Sequence, residues 1–501
     1  MKLRQNLLPL AALMALAFST MILLRLATPH GAGLINDSIA YIGGARAIIN
    51  GQGYSEIWLA SDLEPITHYP PLFSLTLSAI GLSGIDPLNA ARWLNIFLLG
   101  LNGLLFGLIG WRATRSSWLA ALIGSLYLLN ADLFGVHSYA ITEPLFLFFV
   151  LLAFLALDEL LATRQKRFAA ALGLMVGLAI LTRYVGLALF AALGLTLWLE
   201  AKNWQERLQL TGFYLLTSLP LPIAWIARNE LTAHVGTNRV AAFYGLNTDN
   251  LALGLQNLSR WLIPFPALWK SISPLHATLV ALTGLAALAV IGWALWRGQA
   301  ASRAEKLSLA GGVFGFTYLA MVLFSMSFFD PATRFLQRIL APLYLSLLFL
   351  PFFALERLWR SRGKFILLAL ILIWQGFAAV NLVSAARQMR LDGQGYAGVR
   401  WSQSGAATFL HSLPATTAIY SNSPPAIYAT LERPSYIYFM SGDRPEEYAL
   451  VFKAVAEKKA VLVLWGLSAE EADSPEFQQI KAKLALTVKS GRDWVFFGAS
   501  Q

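Results

Sequence analysis

The chain has 501 residues, 57% of them hydrophobic and only 13% charged, with no cysteine and a formal net charge of +11. A soluble domain carries about 25% charged residues, so this composition excludes an ordinary soluble protein, and the missing cysteines exclude disulfides, a thiol nucleophile and a thiolate-bound metal. The Lys and Arg residues sit mostly in short loops rather than in a basic patch with interleaved aromatics, which argues against a nucleic-acid partner.

Apolar runs near 20 residues recur along the chain. Lipid offers backbone groups no hydrogen bonds, so these runs are expected to be membrane-spanning helices. The alternation of a membrane β-barrel is absent. The first run, 7–27, follows Lys2 and Arg4 and carries Arg25 near its end. It is longer than a signal-peptide core and no small-residue cleavage site follows, so a retained span with a cytoplasmic N-terminus is expected. A long outer loop, 28–92, comes next. Further spans are expected at 94–111, 118–130, 144–157, 168–181, 185–199, 208–226, 275–296, 307–326, 335–355 and 365–383, about 11 in all. Loops rich in Lys and Arg, such as 111–115, 164–167 and 357–364, then fall on one side, as the positive-inside bias requires. Loop 28–92, loop 228–274 and the C-terminal tail fall on the other.

From about 391 the composition becomes that of a soluble domain. Runs at 418–421, 461–465 and 494–497 read as buried strands, and 445–458 and 474–484 as helices, with Glu446 and Glu447 suiting a helix start. The expected architecture is an α-helical polytopic membrane domain, 1–390, followed by a small extracytoplasmic α/β domain, 391–501.

Four sets of residues are candidates for chemistry. Asp37 lies just beyond the first span, at head-group depth, where a carboxylate can accept a proton from an attacking hydroxyl or amine; it also suits a helix N-cap. Glu143 stands at the mouth of the fourth span, where a buried acid usually faces a cavity; it also suits a first-turn dipole partner. His68 and Tyr69 precede Pro70-Pro71, whose stiffness would fix them at the membrane surface; an interfacial turn is the plainer alternative. Arg183 and Arg334 lie at outer span ends against the charge bias, and a guanidinium there can bind a phosphate in bidentate fashion; snorkelling, or pairing with Asp330, is the other reading. Arg46, Arg92 and Arg228 are weaker members of this basic set. Asp62, Glu64 and His68 admit a divalent metal, although their spacing matches no ligand motif. Phosphate-loop, nucleophile-elbow and zinc-protease motifs are absent.

Several short motifs recur in a telling order: N-D-S-x-x-Y at 36–41, N-G-Q-G-Y at 50–54, Y-P-P-L-F at 69–73, T-E-P-L-F at 142–146, L-T-R-Y-V-G-L at 181–187 and R-F-L-Q-R-I-L-A-P at 334–342. With these, the chain resembles integral-membrane glycosyltransferases of the C-type fold, in the protein O-mannosyltransferase and lipid A aminoarabinose transferase group. Y-S-N-S-P-P-A-I-Y at 420–428 resembles extracytoplasmic domains appended to some bacterial members. The resemblance implies an inverting transfer of a sugar from a polyprenyl-phosphate carrier to a protein, lipid or glycan acceptor at the outer face of the bilayer. It implies Asp37 and Glu143 as the catalytic acids, and Arg183 and Arg334 near the donor phosphate. His68 and Tyr69 stand where relatives carry other residues, Tyr69 in place of a Lys. A transporter or flippase, or a non-enzymatic receptor, is the competing class; the former would need inverted repeats and mid-span charges.

Overall fold

The computed structural model describes residues 2–359, 361–440 and 445–500. Arg360 of the basic loop lies outside these, as do the side chains of Lys2, Arg4, Glu446 and Glu447. The chain forms two compact units. One comprises Met1–Ala27, Thr67–Phe73 and Trp93–Arg387; the other comprises Thr28–Ile66, Ser74–Arg92 and Gln388–Gln501.

The first unit is helical. Among the described residues, eight helices are long and apolar enough to cross a membrane, and Ser117–Leu128 with Ala131–His137, bent by 62°, makes a ninth if counted as one span. The remaining two expected spans are the helices Lys166–Thr182 and Gly186–Glu200, of 17 and 15 residues. The protein is thus a multi-pass membrane protein, and each expected span lands on a helix.

Lipid tails are as apolar as leucine, so these helices associate through close packing rather than through hydrophobic exclusion. Phe106, Phe154, Phe349 and Phe352 are fully buried from three helices. Phe154 stacks on Phe349 at 4.2 Å, and Phe106 meets Phe349 edge-on at 5.1 Å.

Charges gather at one end of the helix Glu143–Thr163. There Asp158 is fully buried and receives Arg112 at 2.5 Å and Arg303 at 2.6 Å. Lys306 pairs with Glu200 at 2.6 Å, and Arg357 with Glu305 at 2.6 Å. Such pairs roughly balance their desolvation cost, but removing one partner strands a buried charge. They therefore fix how these helices meet more than they add net stability.

Glu143 opens that helix at its other end, with Pro144 in the first turn, where a missing N–H costs nothing. The helices Lys166–Thr182 and Gly186–Glu200 form a hairpin around Arg183. The turn is tight: Gly186 N–H donates to the Arg183 carbonyl at 2.8 Å, and a Cβ on Gly186 would lie 2.7 Å from the Ile180 backbone nitrogen. Only glycine permits that approach, and Arg183 sits at the tip.

The second unit holds an open five-stranded sheet: β1 Ala418–Ser421, β2 Tyr436–Ile437, β3 Ala460–Leu464, β4 Leu484–Ser490 and β5 Asp493–Ala499. The order is β2-β1-β3-β5-β4. β1 pairs in parallel with β2 and β3, while β5 runs antiparallel to β3 and β4. β3, Ala-Val-Leu-Val-Leu, is buried along its whole length because helices cover both faces. Val461 and Val463 pack with Ala407, Leu410 and Ile427 on one side; Leu462 and Leu464 pack with Val455, Phe477 and Ile480 on the other.

The expected strands at 418–421, 461–465 and 494–497 appear as β1, β3 and β5. The helix expected at 474–484 ends at Lys483, and the chain becomes β4. β4 is an exposed edge strand with register shifts against β5, so its alternation is blurred in sequence. β2 has two exposed residues and leaves no pattern to read.

Segment 28–66 packs into this second unit. The helix Asn36–Ile49 carries Arg46, whose guanidinium forks onto Asp86 at 2.9 and 3.0 Å. The same guanidinium reaches Glu432 at 2.8 Å and Tyr428 Oη at 3.2 Å. Arg92 donates to Thr28, through Oγ1 at 3.1 Å and through the carbonyl.

Leu34 forms a parallel bridge with Gly395, and Tyr396 N–H donates to the Leu34 carbonyl at 2.8 Å. Gly395 has φ +54°, and a Cβ there would lie 1.9 Å from the Leu34 carbonyl oxygen. Gly395→Ala is expected to destabilise the second unit by about 2–3 kcal/mol, from overpacking plus left-handed strain. Hydrogen exchange should show the loss at 34–37 and 394–398 first; unchanged protection there would refute this account.

Candidate active site

In the first unit the structure brings together residues far apart in sequence. Glu143 is fully buried, and Arg183 Nη1 pairs with its Oε1 at 2.6 Å. The same Nη1 donates to Thr142 Oγ1 at 3.0 Å. Tyr318 lies within electrostatic reach of Glu143, Arg183 and Arg338. Its hydroxyl donates to the Ile339 carbonyl at 2.6 Å.

Two asparagines hold the approach to Glu143. Asn95 Nδ2 donates to the carbonyls of Tyr139 at 2.7 Å and Ile141 at 3.2 Å, and Asn102 Nδ2 to that of Pro144 at 3.1 Å. Both are fully buried. Sequence reasoning missed them, although a signal existed: two amides seven residues apart in an apolar run share one helix face.

His68 and Tyr69 are half-buried in this unit and meet edge-on at 4.9 Å. The Thr67 carbonyl beside them accepts from Tyr184 Oη at 3.2 Å and Asn229 Nδ2 at 3.4 Å. This links the His68-Tyr69 turn to the residue next to Arg183. Trp225 Nε1 donates to Tyr184 Oη at 2.8 Å, with Arg239 over the Tyr184 ring and Arg228 over Trp225. Cations therefore cluster on one side of the Arg183 turn.

Arg334 is exposed. Four residues on, in the first turn of the helix Gln337–Phe349, Arg338 is half-buried and acts electrostatically on both Tyr139 and Tyr318. Sequence inspection singled out Arg334 because it lies at an outer span end against the charge bias. Asp330 accepts a hydrogen bond from Thr333 at 2.5 Å.

In the second unit, Asp37 is half-buried in the first turn of the helix Asn36–Ile49. It is not the cap. The N-cap is Ile35, and Ser38 Oγ reaches back to accept the Ile35 N–H at 3.1 Å. The capping that offered a plain explanation for Asp37 thus belongs to its neighbour. Tyr396 Oη donates to Asn36 Oδ1, lies 3.5 Å from Ser423 Oγ, and is in the electrostatic field of Asp37.

Arg46, entertained as a phosphate ligand, has its fork occupied by Asp86 and Glu432. For a divalent metal, no group of three or more His, Asp or Glu residues is suitably arranged among the described residues. Asp62 and Glu64 are both exposed.

Glu56 was not singled out from sequence. Its N–H donates to the Glu64 carbonyl at 2.9 Å, beside the isolated antiparallel bridge Ser55–Pro65, which sets two carboxylates on facing loop segments. Burial first, and Glu64 second, push the Glu56 carboxyl up from 4.5 to about 7. The folded form therefore holds a proton that the unfolded form releases between these values. Its contribution to loop stability is present below pH 4.5 and is lost as pH rises through about 7. Hydrogen exchange in 54–66 is expected to speed up across that window, and Glu56→Gln should flatten the dependence. An unchanged pH profile in that variant would overturn the assignment.

Residues 63–231 match the family model described as dolichyl-phosphate-mannose-protein mannosyltransferase. No curated protein matches the chain in sequence. Among solved structures, the chain is similar to ArnT from Cupriavidus metallidurans bound to undecaprenyl phosphate, at 14% identity and TM-score 0.60, over 97% of this chain and 99% of that one. It is also similar to the apo state of the same protein, with the same identity and TM-score over 99% of both chains. The mycobacterial arabinofuranosyltransferase AftD is similar at 15% identity and TM-score 0.53, over 98% of this chain and 42% of that one. By its fold this chain is an ArnT-like, C-type-fold membrane protein, and its segment 63–231 matches the protein mannosyltransferase model.

Proposed function

We propose that the protein is an inverting glycosyltransferase that moves a sugar from a polyprenyl-phosphate carrier to an extracytoplasmic acceptor. The observation that carries this reading is the buried Glu143–Arg183 pair within the segment that matches the mannosyltransferase model. The solved relative ArnT holds undecaprenyl phosphate, a carrier of the same chemical class. The donor sugar is a hexose or a pentose.

The reaction is a single displacement. Asp37 accepts the proton of the acceptor hydroxyl or amine as that group attacks the anomeric carbon. The bond from that carbon to the phosphate oxygen breaks, and the oxygen leaves with its electron pair. Phosphate is already a good leaving anion, so cations and alignment matter more here than a general acid. Arg183 neutralises the departing phosphate, with Arg338 and the His68-Tyr69 turn as further donors on the same side. Glu143 holds the guanidinium of Arg183 in place. Arg334, at the surface, meets the carrier head group on approach.

The charge distribution supports an N-terminus in the cytoplasm and a C-terminal α/β domain, 391–501, outside it. Reconstitution with polyprenyl-phosphate sugars tests the whole reading: sugar-dependent release of undecaprenyl phosphate is expected. A protein that neither binds nor releases the carrier across hexosyl and pentosyl donors would refute it.

A further inference from the structure

The sheet of the second unit has a feature that its sequence conceals. From β1 the chain passes to β2 on one side, then returns across β1 to β3 on the other. All three strands are parallel. The strand order therefore reverses between β1 and β3, and helices from the two connections lie on opposite faces. In open α/β sheets, ligands bind beyond the carboxyl ends of the strands at such a point, because the two connections diverge and leave a crevice.

Here the carboxyl end of β1 is Ser421-Asn422-Ser423, and that of β3 is followed by Trp465. Asn422 ties the two ends together: its Nδ2 donates to the Trp465 carbonyl at 3.0 Å, and its Oδ1 accepts the Trp465 N–H at 2.8 Å. Trp465 stands 5.1 Å from Trp401, which meets Tyr396 edge-on at 4.9 Å. Trp465 is 5% exposed, and among the described residues its indole N–H has no hydrogen-bond partner. A buried donor left unpaired is costly, and a ligand acceptor would relieve it. Tyr396 joins this crevice to Asn36 through its hydroxyl, beside Ser423 and in the field of Asp37.

We propose that this crevice, walled by Tyr396, Trp401 and Trp465 and based on Asn422 and Ser423, is the acceptor subsite, and that it takes a neutral saccharide whose hydroxyl is presented to Asp37. The inference rests on the transferase reading and names the acceptor class. Aromatic faces, negative at their centres, suit the C–H faces of a sugar ring. Amide and hydroxyl groups suit its hydroxyls. An anionic acceptor would call for a guanidinium, and the one beside Trp401, Arg400, lies 3.7 Å from the carboxylate of Asp493. In the reaction the sugar hydroxyl loses its proton to Asp37, its oxygen bonds to the donor's anomeric carbon, and the donor phosphate departs with the electron pair of the broken bond.

The test uses the full chain in nanodiscs with four probes: maltotriose, mannotriose, chitotriose and a neutral Ser/Thr hexapeptide. Saturation-transfer NMR is expected to show binding of at least one trisaccharide. Trp401→Ala should weaken it by about 3- to 10-fold, the range that one aromatic contact is worth, and Tyr396→Phe, which keeps the ring and removes only a hydroxyl, by about 2- to 5-fold, the worth of one modest hydrogen bond. Binding of the polyprenyl-phosphate probe should stay within twofold, and unchanged hydrogen-exchange protection of β1 and β3 shows that the second unit of both variants still folds. Failure of all three trisaccharides to bind, binding indifferent to both variants, or a Trp401-dependent hexapeptide in their place would each overturn the proposal. Failure of the unmodified protein to bind polyprenyl phosphate would instead refute the transferase reading, and the saccharide measurement would still be readable.

Discussion

Replacing Asp37 by asparagine is expected to lower sugar transfer by about 10²–10⁴-fold, the usual worth of a positioned base. Stability should barely move. Asp37 does not cap its helix, since Ile35 holds the cap position and Ser38 closes the turn. The first-turn charge that the substitution removes is worth about 0.3–1 kcal/mol. Carrier affinity should hold as well, because in this reading the phosphate is met by Arg183 and its neighbours. The measurement is transfer from a polyprenyl-phosphate sugar beside carrier binding and thermal unfolding of the same preparation. Full turnover in Asp37→Asn would end the assignment. A fall in activity that tracks lost stability would end it equally.

Arg183→Gln is expected to show two separable effects. Losing a preorganised cation at the departing phosphate should cost about 10²–10³-fold in turnover. Stranding Glu143, which is fully buried, should also destabilise the first unit by about 3–5 kcal/mol. The double variant Arg183→Gln/Glu143→Gln separates them, because it removes both charges together. Its stability should recover most of the loss while its turnover stays low. Glu143→Gln alone keeps a hydrogen-bond acceptor for Arg183 and should be milder in turnover than either. If Glu143 were instead the proton acceptor, Glu143→Gln would abolish the acidic limb of the pH–rate profile, and the double-mutant cycle would show little coupling in turnover.

The Glu143–Arg183 pair also shows where inspection of a linear sequence stops. Both residues were singled out from sequence, but for different reasons: one as an acid at a helix mouth, the other as a cation against the charge bias. Their pairing depends on the tight turn at Gly186, a contact between helices that no local pattern records. Arg338 shows the same limit. It looks like an ordinary early residue of an apolar helix, and only helix packing brings it into electrostatic reach of Tyr318. Asn95 and Asn102 were legible in principle, since amides in an apolar run must bond to something.

What the sequence by itself determined was the multi-pass membrane architecture. A bilayer is a uniform solvent, so length and apolarity of each run suffice to mark a span. Motif order was enough to suggest the group, and β1, β3 and β5 could be read because buried strands are continuous apolar runs. Only the tertiary structure decided what Asp37 neighbours. Tyr396 lies 359 residues away, and its approach to Asn36 and Asp37 depends on a backbone bridge between Leu34 and Gly395 that no side-chain pattern announces. Strand order was likewise invisible, because parallel pairing is chosen by crossovers between distant segments, and the reversal of order between β1 and β3 exists only once that choice has been made.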